Sequence, residues 1–247
     1  MTTNDWTFVI PAAGKSKRFK YYKKKIFYKI NQSTIIENIV HKVNPFSKKI
    51  IIIINKSDKK ILKKIFKENK KIKFVVQDKI NGMATAIYIG ISASLTKFTA
   101  ILWADQIGIT SKTISKTIKK HANMKNLISM PVVKVNQPYT LIKFKKKNFI
   151  KEVIQSREEK ISENKGFKDC GFFCVNTAKM TRILKKLINE KKILTQKTKE
   201  YDFLKGFKFL SVNENIYAVK SNNRLDGIGI NSISDLKKFK ECQKSQL

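Results

Sequence analysis

At 247 residues the chain is long enough to bury an ample α/β core, and its three cysteines, odd in number and without a CxxC or Cys/His set, exclude a disulfide scaffold and a zinc site and point to a reducing compartment. Fifty-three basic residues against 18 acidic ones give a net charge of +35, which suits anionic substrates, but only Arg18, Arg157, Arg182 and Arg224 are arginines and the lysines are spread over almost every predicted element. That distribution argues against a specific nucleic-acid reader and resembles the codon bias of an A/T-rich genome, while the polar start and the lack of any aliphatic run near the ~20 residues of a bilayer span predict a cytoplasmic protein with no membrane partner.

In chain order, the apolar run 6–10 predicts a first strand that ends at Pro11, which cannot donate to a central ladder. Ala12, Ala13 and Gly14 then let backbone N–H groups approach an anion, with Lys15, Lys17 and Arg18 adding charge; this is phosphate-binding chemistry outside both the GxGxxG and the GxxxxGK[ST] patterns. The β-branched run 50–54 predicts a strand buried on both faces, and 73–77 and 100–104 predict two more. Helices are expected at 34–43, 57–69, 83–94 and 111–122, so strands and helices alternate as in right-handed βαβ crossovers around a parallel sheet. From residue 127 shorter strands are expected, at 127–130, 140–144, 150–155 and 171–175. There are no internal repeats and no Gly/Ser/Pro linker, and the expectation is one domain with a nucleotide-binding lobe over about 1–125 and an acceptor-binding lobe with a closing metal-site helix over about 126–247. Pro11 to Arg18, Gln77 and Asp105 all fall at carboxyl ends of parallel strands, where open α/β sheets bind ligands.

Five pieces in order carry a family resemblance: Ala12-Ala13-Gly14-Lys15-Ser16-Lys17-Arg18; Lys24-Lys25-Ile26-Phe27; Val75-Val76-Gln77 followed by Gly82-Met83-Ala84-Thr85-Ala86; Ile101-Leu102-Trp103-Ala104-Asp105-Gln106; and Gly227-Ile228-Gly229-Ile230-Asn231-Ser232-Ile233-Ser234-Asp235-Leu236. Together they resemble the sugar-phosphate nucleotidylyltransferases over nearly the whole chain. The family pattern has a second glycine where this chain has serine or lysine, a proline before the family's lysine, and a threonine at the position of Met83. Within the family the resemblance is nearest to the uridylyltransferase domain that makes UDP-N-acetylglucosamine, through Pro138-Tyr139-Thr140-Leu141-Ile142, Ile154-Gln155-Ser156-Arg157-Glu158 and Asp169-Cys170-Gly171. That enzyme presents a glycine, a glutamate and an asparagine to the sugar where this chain has Thr140, Gln155 and Asp169, so a different acceptor is open. No counterpart of its hexapeptide-repeat acetyltransferase half is present in these residues, and nucleotidyl transfer alone is expected.

The resemblance implies an α/β, Rossmann-like three-layer fold with a mixed, mainly parallel central sheet and a small mixed β lobe for the acceptor. It implies a Mg²⁺-dependent enzyme that joins a nucleoside triphosphate, UTP before CTP, to a phosphorylated small-molecule acceptor. Arg18 and Lys25 are the expected catalytic cations, Ala12, Ala13, Gly14, Lys15, Gln77, Gly82 and Met83 the nucleotide contacts, Trp103, Thr140, Gln155 and Asp169 the acceptor contacts, and Asp105 with Asn231 the metal ligands. A sugar 1-phosphate is already ionised at neutral pH, so no general base is needed, and His41 and His121 read as ordinary helix residues. Plainer readings stay beside these. Arg18 also reads as a solvated charge, any of Lys23, Lys24 and Lys25 could be the functional lysine, Asp105 and Asn231 could be caps, and Glu200-Tyr201 matches a family pair only weakly. Two other classes remain: a nucleotidyltransferase for phosphocholine, methylerythritol phosphate or the molybdenum cofactor, and a non-catalytic nucleotide- or nucleic-acid-binding protein on the same scaffold.

Overall fold

The computed structural model describes residues 5–14, 19 and 24–244. Strand β1 (Trp6–Pro11) alternates its side chains between two apolar layers. Trp6, Phe8 and Ile10 enter one core with helix α1 (Ile35–Val43), and Val9 faces the other side with Ile51, Ile53 and Ala86. A hairpin of β2 (Lys29–Ile30) and β3 (Ser33–Thr34) precedes α1. Thr34 and Glu37 close a capping box there, each side chain satisfying the other's backbone N–H at the helix start.

Strands β4 (Lys49–Ile54), β5 (Ile72–Val76) and β6 (Phe98–Leu102) line up with β1 in the order β5-β4-β1-β6, all parallel. The crossovers carry α2 (Lys59–Ile65) and α3 (Met83–Ser92), and α4 (Ser111–Ala122) follows β6. Helix α2 is shorter than the expected 57–69, because Asn55 caps a 3-10 turn at Lys56–Asp58 and the chain turns again at Asn69. Gly90 lets α3 lie close on the sheet, since a Cβ there would fall 2.3 Å from Val9 Cγ1.

The same sheet continues through β7 (Ile128–Asn136), β8 (Thr140–Lys146), β9 (Phe149–Gln155), β10 (Lys165–Asp169), β11 (Phe172–Asn176) and β12 (Ile216–Ser221). After β6 the order is β11-β7-β12-β9-β8, with β10 also on β7; β11 is antiparallel to β6 and β7, while β12 runs parallel to β7. Strands β7, β8 and β9 are longer than the short ones expected, β11 has the expected length shifted by one residue, and β10 and β12 lie where no strand was expected. Strand β7 runs straight through Pro131, whose carbonyl accepts from Cys170 N at 3.2 Å, so the missing N–H costs one ladder bond and does not end the strand. Helices α5 (Thr177–Asn189) and α6 (Phe207–Asn213) cover the second face with α3, and α7 (Ile233–Lys244) packs Leu236 and Phe239 on the first. The mixed central sheet between helical layers stands as expected, and its first half presents the carboxyl ends of β1 and β6 side by side.

Candidate active site

At the end of β1, Ala12 N donates to Ile53 O at 2.8 Å and the side chains of Ala12 and Ala13 are buried. A Cβ at Gly14 would meet nothing within 4 Å, so this residue opens toward space. Lys15 and Arg18 lie outside the described residues.

Lys24 and Lys25 are separated by their partners. Lys24 Nζ is held by Asp58 Oδ2 at 2.5 Å. Lys25, on a 3-10 turn anchored by buried Ile26, points the other way and donates to Asp105 Oδ2 at 2.6 Å and to Asn231 Oδ1 at 3.1 Å. Lys23 lies outside the described residues. Asp105 follows β6 and remains partly exposed.

Backbone bonds dock the distant 226–231 segment on the 105–108 turn. Asp105 O accepts from Ile230 N at 2.8 Å, Gly108 N donates to Ile228 O at 3.1 Å, and Gln106 Nε2 donates to Asp226 O at 2.8 Å. The approach is close, since a Cβ on Gly108 would sit 2.1 Å from Leu225 O. The capping alternative for Asn231 is met by its neighbours instead. Ser232 Oγ accepts from Asp235 N at 3.3 Å, and Asp235 Oδ2 accepts from the backbone N–H groups of Asn231 and Ser232 at 2.9 and 2.8 Å. The Asn231 side chain is therefore directed to Lys25 rather than to the helix start. Two hard oxygens already flank one cation, the Lys25 ammonium, and such a donor set suits a hard divalent ion held by few protein oxygens and completed by phosphate and water.

Asp226 is a site residue that sequence reasoning missed. Fully buried, it accepts from Thr110 N, Thr110 Oγ1, Thr113 Oγ1 and Ser221 Oγ at 2.8, 3.0, 2.6 and 2.5 Å. It fixes the segment that carries Asn231 to the N-terminus of α4. Nearby Lys42 donates to Ile107 O at 2.6 Å; burial pushes its pKa down to about 8, against the opposing attraction of Asp226. The only signal for Asp226 in sequence is its place one residue before Gly227.

On the other side of β1, Gln77 is buried and its Nε2 donates to Thr85 Oγ1 at 3.0 Å and Gly82 O at 3.4 Å. Its donor half thus shapes the 77–85 loop. Gly82 has φ +134°, and a Cβ there would lie 2.3 Å from Tyr201 O, so only glycine fits. Met83, the first residue of α3, is exposed.

The four expected acceptor residues form a second cluster. Thr140 and Gln155 face each other across the β8–β9 ladder. Thr140 Oγ1 donates to Asp169 Oδ1 at 2.6 Å, Asp169 Oδ2 accepts from Gly171 N at 3.0 Å, and Gly171 O accepts from Trp103 N at 2.9 Å. The Trp103 ring packs on Phe173 with centroids 4.8 Å apart. This chain of contacts ends two residues from Asp105. Gln155 instead turns its Nε2 to Asp202 Oδ1 at 2.9 Å.

The sequence pattern of the MobA-like NTP transferase domain matches residues 8–165. The chain belongs to that family. Its chemistry is nucleotidyl transfer. The bifunctional protein GlmU of Buchnera aphidicola subsp. Acyrthosiphon pisum (strain Tuc7) is 28% identical over 192 residues, covering 76% of this chain and 41% of that protein, so the chain spans about two fifths of that curated relative. Among solved structures, a putative glucose-1-phosphate thymidylyltransferase from Bacillus anthracis superposes with a TM-score of 0.73 at 14% identity, covering 96% of this chain and 94% of that one. The inositol-1-phosphate CTP transferase from T. maritima gives 0.72 at 13% identity, covering 96% and 95%. These likenesses support the transferase fold of this chain. Among the described residues no helix is long and apolar enough to cross a membrane.

Proposed function

We propose that this transferase moves a nucleotidyl group from a nucleoside triphosphate, UTP first and CTP second, to a sugar 1-phosphate in the cytoplasm, releasing pyrophosphate. The observation that carries the reading is the convergence of Lys25, Asp105 and Asn231, from three distant segments, within 2.6 and 3.1 Å of one ammonium nitrogen. Asp105 and Asn231 would hold Mg²⁺, which would supply Lewis-acid charge for the triphosphate. The nucleotide lobe would span about 1–125, and the acceptor lobe with its closing metal-site helix about 126–247.

The phosphate oxygen of the acceptor attacks the α-phosphorus; the bond from α-phosphorus to the bridging oxygen breaks, and pyrophosphate leaves with that electron pair. No proton need be removed, because the attacking phosphate is already an anion. The protein's task is to gather two anions and neutralise charge as it develops, where placement and electrostatics dominate the rate. Lys25, drawn to the triphosphate, releases Asp105 and Asn231 for their ligand role. Arg18 and Lys15, which follow Gly14 in the chain, add charge. Gly82 and Gln77 present backbone and amide edges to the base, with Met83 beside them, and Trp103, Thr140, Gln155 and Asp169 border the acceptor. The +35 charge favours anionic substrates without a specific nucleic-acid partner.

The test is pyrophosphate release with Mg²⁺ over four nucleoside triphosphates and a panel of phosphorylated acceptors, beginning with UTP and N-acetylglucosamine 1-phosphate and including phosphocholine and methylerythritol phosphate. Release with a sugar 1-phosphate supports the reading. Release only with a non-sugar acceptor, or none from folded protein, overturns it.

A further inference from the structure

Asp202 lies outside every motif that marks the family resemblance, yet it is the hub of the acceptor side. It is buried, and its carboxylate accepts from Gln155 Nε2 at 2.9 Å, from Lys205 N at 2.9 Å and from the Arg157 guanidinium. Its own N–H donates to Ile193 O at 2.9 Å, so the backbone is held as firmly as the side chain. A carboxylate beside a cation only accepts hydrogen bonds, so it selects one orientation of the Gln155 amide: the NH₂ end must face Asp202. The carbonyl oxygen is then the group Gln155 has left to offer.

The residue before it makes a second connection. Tyr201 N donates to Asn81 O at 2.8 Å, and Tyr201 O accepts from Ala84 N at 3.0 Å. The two adjacent residues thus join the loop that starts α3 to the end of β9. Gly82 is matched to this strap, because any side chain there would strike Tyr201.

We infer that Asp202 is a positioning residue of the acceptor site, holding Gln155 so that its carbonyl oxygen faces the acceptor, and that the acceptor must bring a hydrogen-bond donor, a hydroxyl or amine, to that point. This rests on the proposed placement of the acceptor beside Gln155. Thr140 follows the same logic, since its hydroxyl proton goes to Asp169 and its oxygen lone pairs remain. The cluster therefore offers oxygens that accept, and it selects hydroxyl- or amine-bearing acceptors over those with a carboxylate at the same place.

The experiment is steady-state kinetics of the full chain with UTP and N-acetylglucosamine 1-phosphate, or with the active pair found in the substrate panel. Asp202→Asn keeps shape but lets the Gln155 amide turn over; it is expected to raise the acceptor KM at least tenfold, with kcat and the UTP KM changed less than threefold. Gln155→Glu alone sets two carboxylates against each other and is expected to raise the acceptor KM similarly. The double variant Asp202→Asn, Gln155→Glu reverses the bond, with the amide now at position 202 donating to the carboxylate at position 155, and is expected to bring the acceptor KM back within threefold of wild type. Equal changes in both KM values, no change, or no rescue in the double variant would overturn the inference. If Asp202→Asn does not fold, comparison of the double variant with Gln155→Glu decides by the same criterion. A wild type silent with every pair overturns the proposed function and this inference with it; an active wild type without the rescue overturns this inference alone.

Discussion

At the ends of β1 and β6, polar side chains from three distant segments meet at one small, partly exposed spot, whereas at the ends of β8 and β9 the polar side chains are buried and bonded mainly to one another. Backbone bonds hold Lys25 and Asp105, and the Asp235 carboxylate holds the backbone of Asn231, leaving their charged and amide ends near one point. Thr140, Gln155, Asp169 and Asp202 are oriented by each other, so each offers only the atom its partner leaves over. The first arrangement suits chemistry shared by any triphosphate; the second suits selection of one acceptor. The sequence departs from the family pattern on both sides, at the second glycine, the proline before Lys25 and Met83 on one and at Thr140, Gln155 and Asp169 on the other, while Lys25 and Asp105 match it.

Five substitutions probe the comparison, one of them a control. The largest effect is expected from Asp105→Ala, which removes a carboxylate that Lys25 already contacts: turnover should fall about a thousandfold while the melting temperature stays near that of wild type. Activity within tenfold of wild type would move the chemistry elsewhere. Next is Asp226→Asn. Its buried carboxylate receives four donors, and the amide can satisfy only part of them, so chemical denaturation should show a loss of about 3 kcal/mol or more, with weaker metal binding from loosening of the Asn231 segment.

His121, in α4 and away from both regions, is the control. It bonds Ser129 Oγ at 3.0 Å and packs edge-on against Trp6 and Phe98, and burial lowers its pKa from 6.5 to about 4. Between those values the unfolded chain binds the proton and the folded chain does not, so stability is full above pH 6.5 and falls as the pH drops toward 4. The loss should approach about 3 kcal/mol and be absent from the His121→Leu variant, as read by denaturant melts across that range. The smallest effect separates neighbours. Ser232→Ala should cost about 1 kcal/mol of stability through the lost cap with turnover nearly unchanged, while Asn231→Ala should lower turnover and leave stability nearly intact.

The parallel half of the sheet was legible because its strands are short, mostly apolar runs, with β4 continuously β-branched from Ile50 to Ile54, and its helices carry apolar residues at helical spacing. Lys25, Asp105 and Asn231 stood out as candidates because each sits in a short local pattern, and the structure brings their side chains together, with Lys24 held instead by Asp58. The antiparallel half was read less well. Strand β10, Lys-Gly-Phe-Lys-Asp, has almost no apolar pattern and exists because it pairs with β7. Strand β12 went unassigned although Ile216 to Val219 is an apolar run, and its place between β7 and β9 is a long-range fact. Helix α5 was missed although Met180, Leu184 and Leu187 lie at helical spacing. Asp226 and Asp202 were invisible because their importance lies in partners tens of residues away, and a buried aspartate has no local signature.

The most direct test of the triphosphate site is Mn²⁺ binding followed by electron paramagnetic resonance, with and without UTP, in wild type, Asp105→Ala and Asn231→Ala. The account predicts that UTP tightens Mn²⁺ binding to the wild type and that either substitution weakens binding of the pair about tenfold or more with the fold intact. Equal affinity in all three proteins would contradict the assignment of Lys25, Asp105 and Asn231 as the metal and triphosphate centre.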